Sequence, residues 1–99
     1  MKFNEMTYTR PDIEALLAQC KDFAARAAAA PDSQSLTALY YEQSRAFADY
    51  TTASQLVNIH YTCDTRDAYW KAEQDFFDDN GPAVSNAQVE IFRSFLANP

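Results

Sequence analysis

Ninety-nine residues set a limit of one small domain, and a 47% hydrophobic fraction with seven Phe, six Tyr and one Trp is enough to fill its core. A disordered chain would lack that aromatic load. Fourteen acidic residues against eight basic ones give a formal net charge of -6, which excludes nucleic acid and anionic membrane surfaces as partners, because binding there rests on Lys and Arg neutralising phosphates.

The opening Met1-Lys2-Phe3-Asn4-Glu5-Met6 has no apolar stretch of a secretory signal. Nothing in the chain approaches the ~18 consecutive apolar residues of a membrane span. Cys20 and Cys63 stand far apart without a CxxC pattern, and read as buried thiols of a reducing compartment. The expected location is cytoplasmic. Gly81 is the sole glycine, so tight hairpin turns are scarce and a few long helices are expected.

Residues 1–10 alternate weakly (Phe3, Met6, Tyr8) and read as an extended lead-in packed on the body. Pro11 suits a first helical turn, and Asp12 and Glu14 favour the positive end of the helix dipole. Ile13, Leu16, Leu17, Cys20, Phe23 and Ala27 then keep helical spacing on one face, predicting a first helix over about 12–29, ended by Pro31. Asp32 or Ser33 can cap a second helix. Its stripe is Leu36, Tyr40, Phe47, Tyr50, Ser54, Val57 and Tyr61, with Leu39, Ala46, Ala53 and His60 beside it. It should run over about 33–62, roughly 45 Å at 1.5 Å per residue, and needs an antiparallel partner of similar length. Asp64 or Thr65 can cap a third helix with Asp67 in its first turn. Tyr69, Ala72, Phe76, Ala83, Ala87, Ile91 and Phe95 hold one phase to the chain end. Asn80-Gly81-Pro82 is a stop signal and Ser85-Asn86-Ala87-Gln88 a restart, so the last helix is expected to be kinked or broken near Gly81-Pro82. The fold class is all-α: three to four helices over 1–99, two of them long and antiparallel, plus a shorter N-terminal one.

Catalytic patterns are missing. His60, Cys63 and Asp64 fall on one helical turn, but zinc draws on three or four ligands in fixed geometry, and no second His or nearby Cys completes a set. Packing or capping is the better reading for His60. Asp75, Asp78 and Asp79 lack the oxygen-rich loop and glycine of a calcium site and read as a solvated face. One glycine rules out a GxSxG elbow or a phosphate loop, and neither HExxH nor a Glu-x-x-His repeat occurs. No catalytic or metal-binding residue is therefore assigned. Adjacent ring pairs (Tyr40-Tyr41, Tyr69-Trp70, Phe76-Phe77) point about 100° apart, more than one buried face per helix can absorb. Some rings should meet another domain or a second copy of the chain.

Several segments together resemble the N-terminal region of the oligoendopeptidase F branch of thimet-oligopeptidase-like zinc metallopeptidases. They are Met1-Lys2-Phe3 with Tyr8-Thr9-Arg10-Pro11-Asp12; Ile59 to Tyr69, containing Asp64-Thr65-Arg66-Asp67; Ala72-Glu73-Gln74-Asp75-Phe76-Phe77-Asp78; and Phe92 to Pro99. The resemblance covers essentially the whole chain and about the first sixth of such an enzyme. It implies a parent that cuts short peptides inside a closed helical molecule, with zinc activating water and the glutamate of an HExxH helix as general base. None of those residues lies in these 99 positions, so the chain alone is expected to be inactive, with zinc held elsewhere in the full-length enzyme. It would be scaffold and lid, and Asp64, Arg66 and Asp67 would cap the third helix or touch a neighbouring lobe. The abrupt end at Asn98-Pro99 reads as a truncated fragment, whose partner is the missing catalytic domain or a second copy of itself. The rival expectation is a free-standing helical interaction module that pairs through its aromatic face.

Overall fold

The computed structural model describes residues 7–63 and 67–98. They form three helices, α1 (Ile13–Ala29), α2 (Ser33–Cys63) and α3 (Ala68–Ala97), and no strand. Each start is set by an aspartate. Asp12 accepts from the Ala15 amide at 3.1 Å, Asp32 from Ser35 at 2.7 Å and Asp67 from Tyr69 at 2.9 Å. In each case the carboxylate satisfies one of the amides that a helix start leaves without a partner. Asp12 itself is extended, so Pro11 lies just outside α1 rather than in its first turn. The cap of α3 is Asp67, which was expected inside its first turn; Asp64 and Thr65 lie outside the described residues. Ala30 precedes Pro31, which disfavours the helical region for it, and there α1 ends.

The helices run up, down and up. His60 stacks on Trp70, Tyr50 meets Phe77 and Tyr40 meets Phe95, so α2 and α3 are antiparallel along their whole length. α1 lies parallel to α3: its leading Arg10 reaches Glu73, and Asn98 Nδ2 donates to the carbonyls of Ala27 (2.7 Å) and Ala30 (3.1 Å). With 31 and 30 residues, the long helices account for the 51 Å long axis. The 17 residues of α1 cover only half of it.

That difference in length divides the core. Where three helices overlap, Leu16, Cys20, Phe23, Phe47, Val84 and Ile91 form the larger cluster. Beyond the start of α1, Ala53, Val57 and Phe77 form a second, with Tyr8, Tyr50, Trp70 and Phe76 packed against it. Tyr8 of the lead-in packs there in place of α1, while Phe3 and Met6 lie outside the described residues. Gln43 also sits in the interior, 1% exposed, giving one bond to Ser44.

Two expectations need correction. The third helix is not interrupted: α3 passes through Gly81 and Pro82, and Gly81 does not take the positive φ of a helix-ending glycine. Phe77 and Val84, buried on either side, hold the segment in the bundle. Asn80 Nδ2 donates to the Phe76 carbonyl at 2.8 Å and ties the turn together. Proline removes only the bond to the carbonyl of Asp78, a solvent-exposed residue whose carbonyl water can serve. Pro82→Ala is accordingly expected to raise stability by about 1–2 kcal/mol, less than the full interior penalty of about 3, read as a higher midpoint in chemical denaturation. The phase of α3 is as expected in its second half, where Ile91 is buried and Ala87 and Phe95 pack against the core, but is shifted by one residue before that. Glu73, Phe77, Val84 and Ile91 face inward, whereas Tyr69, Ala72 and Ala83 are exposed. Turning this way buries Phe77 and Val84 in place of Phe76 and Ala83, and driving force follows apolar area.

Candidate functional site

Of the residues singled out at the α2–α3 connection, the structure describes His60, Cys63 and Asp67. Asp64 and Arg66 lie outside the described residues, so their roles are not placed by the structure. Asp67 is a helix cap. His60 lies flat on Trp70, with ring centroids 4.1 Å apart and planes 4° from parallel. Cys63 is exposed rather than buried, and neither it nor the buried Cys20 is in a disulfide. Among the described residues no three His, Cys, Asp or Glu side chains converge to hold a metal ion. The described donors do not by themselves supply the three or four ligands that zinc takes. The three aspartates of α3 behave as a solvated face: Asp75 pairs with Lys71 at 3.1 Å, and Asp78 accepts from Gln74 at 3.0 Å.

The most organised polar site is elsewhere, where the lead-in crosses α3. Glu73 is 5% exposed. The Tyr8 hydroxyl donates to its Oε1 at 2.7 Å, Arg10 Nε donates to the same oxygen at 2.9 Å, and Arg10 Nη2 donates to Oε2. Arginine thus grips the carboxylate with two parallel bonds, the geometry that its planar fork favours. The guanidinium also lies over the Phe76 ring at 4.3 Å. Tyr8 packs its ring 5.6 Å from Trp70. The Arg10 bonds hold the Glu73 carboxyl below its ordinary range against the opposing effect of burial, and the Tyr8 bond helps. Burial, then the facing carboxylate, pushes the Tyr8 phenol up.

Sequence reading missed this cluster. The available signal was an acid in phase with an apolar series, Glu73 four residues before Phe77. A charge at such a position calls for a buried partner. The arginine and hydroxyl that answer it stand more than sixty positions away.

The remaining feature is apolar surface. Tyr40, Tyr41, Ile59, Tyr69, Val89, Phe92 and Leu96 are exposed, Leu96 to 86%. Val89, Phe92 and Leu96 follow i, i+3, i+7 spacing and make a stripe on α3. Tyr40 of α2 joins this end through its edge-to-face contact with Phe95. The accessible surface is 6748 Å², about 1,000 Å² more than a compact monomer of this mass presents. No described helix is long and apolar enough to cross a membrane.

No curated protein and no solved structure matches the chain. A family model does, described as Peptidase M3 N-terminal domain, and it matches residues 3–99. With nearly every residue inside that match, the chain belongs to the Peptidase M3 N-terminal domain family.

Proposed function

We propose that this chain is the non-catalytic scaffold and lid of an oligoendopeptidase F-like zinc peptidase, cytoplasmic and acting on short peptides. The match over residues 3–99 carries the reading. Two features of the molecule support it. The stripe of Val89, Phe92 and Leu96 with neighbouring Tyr40 is surface suited to cover by another part of an enzyme. The surplus of about 1,000 Å² is comparable with the ~800 Å² that each partner contributes to a standard interface. No HExxH occurs in the 99 residues, so in this reading the metal and the water it activates belong to a further part of the enzyme, and this domain limits which substrates reach them.

The test is to read the gene beyond Pro99 and express the whole product. An HExxH motif some hundreds of residues on, stoichiometric zinc and cleavage of short peptides but not folded proteins are expected, with no cleavage by the 99-residue chain alone. A stop codon directly after Pro99 would overturn the proposal in favour of a free-standing interaction module. Zinc-dependent cleavage by the 99-residue chain itself would overturn its non-catalytic part.

A further inference from the structure

The lead-in touches the body through side chains. Among the described residues, no main-chain hydrogen bond joins residues 7–11 to a helix. Its polar anchorage converges on one group, the carboxylate of Glu73, which accepts from the Tyr8 hydroxyl and from Nε and Nη2 of Arg10. Around that point the contacts are aromatic, Tyr8 on Trp70 and Arg10 over Phe76. Tyr8 and Arg10 are two positions apart and both bond the Glu73 carboxylate, the spacing of an extended segment read from one side. Pro11 and the Asp12 cap follow at once, so α1 begins independently of what the preceding residues do.

We propose that α2 and α3 form a recognition groove for a Tyr-x-Arg segment, with Glu73 as its reading residue, and that residues 8–10 are a detachable strap filling this groove in cis. Each part of the groove selects one feature of the ligand. The buried carboxylate takes a guanidinium through two bonds, which an ammonium cannot reproduce. The second lone-pair position on Oε1 takes a phenol hydroxyl, and the Trp70 and Phe76 rings take the apolar bodies of both side chains. The rest of the molecule favours the same ligand, because a chain of net charge -6 attracts a cationic segment. Tethering supplies an effective concentration on the order of millimolar, so a free segment competes once the tethered one is disabled.

The experiment uses the full 99-residue chain with Tyr8→Ala and Arg10→Ala together, and a synthetic peptide of residues 1–11 added to about millimolar concentration. Trp70 is the only tryptophan in the chain, so its emission reports occupancy of the groove. The expected result is a folded double variant with wild-type helical circular dichroism. Trp70 emission should return towards wild type as the peptide is added, with at least tenfold weaker response to a peptide carrying Arg10→Glu. Loss of helicity in the double variant would overturn the proposal, since the strap would then be integral to the fold. A folded variant that ignores the peptide, or responds equally to the Arg10→Glu peptide, would overturn it as well. A second measurement uses Glu73→Gln in the otherwise unchanged chain. Chymotrypsin should cut after Tyr8 about tenfold faster than in wild type, and an unchanged rate would also count against a strap held by that carboxylate.

Discussion

Phe77→Ala is expected to cost about 3–5 kcal/mol, the range for deleting a buried phenylalanine and a large share of the 5–15 kcal/mol that holds a small domain together. Phe77 is 5% exposed and packs edge-on against Tyr50 of α2 at 5.4 Å between centroids. It belongs to the small cluster with Ala53 and Val57, where α1 no longer reaches. The rings around it, Tyr8, Tyr50, Trp70 and Phe76, are rigid and collapse only partly into the space left behind. Phe76→Ala removes a half-buried ring and the face under Arg10, and should cost clearly less. Phe92→Ala, at a site 41% exposed, should stay within about 1 kcal/mol. Denaturant midpoints of the three variants test the phase of α3 directly. If Phe76 proved more costly than Phe77, the helix would be turned by one residue from the orientation described above.

That one-residue turn shows where local pattern reaches and where it stops. The buried face of α1 was legible, because Leu16, Cys20, Phe23 and Ala27 keep helical spacing and, Leu17 apart, their neighbours are polar or are alanines. The start of α2 was legible from Asp32 as a cap, and that of α1 to within a residue from Pro11 and the acids after it. On α3, adjacent Phe76 and Phe77 give two nearly equivalent stripes, and the alanines that continue the first have little area to settle the choice. Packing against Tyr50 settles it, a contact with another helix. The strength of Asn80-Gly81-Pro82 as a stop signal was local in the same way. Flanking Phe77 and Val84 bury enough surface to carry the helix across it. The Glu73 site was least legible. Its three donors come from a segment with only a weak alternation that does not include Arg10, and an isolated glutamate in a helix ordinarily faces water.

Arg10→Ala is expected to destabilise the chain more than Glu73→Gln, although both substitutions delete the same ion pair. Removing Arg10 leaves Glu73 as a buried carboxylate with only the Tyr8 hydroxyl beside it, and stranding such a charge costs about 3 kcal/mol. Release of the strap caps that cost, because water then reaches the carboxylate. Glu73→Gln leaves no buried charge: the amide oxygen still accepts from Tyr8, and the half-exposed Arg10 side chain regains solvent. About 1 kcal/mol is expected there. Acid should reproduce the loss in the wild-type chain. The Glu73 carboxyl titrates below its ordinary value of 4.5 in the folded state, so folding is favoured by its ionisation. That contribution is fully present above the unfolded pKa and disappears as pH falls through the lowered folded value. Between pH 7 and pH 3 the wild type should therefore lose stability more steeply than Glu73→Gln, and the two denaturation midpoints should converge. Parallel curves would mean that Glu73 is not held as a paired carboxylate beneath the strap.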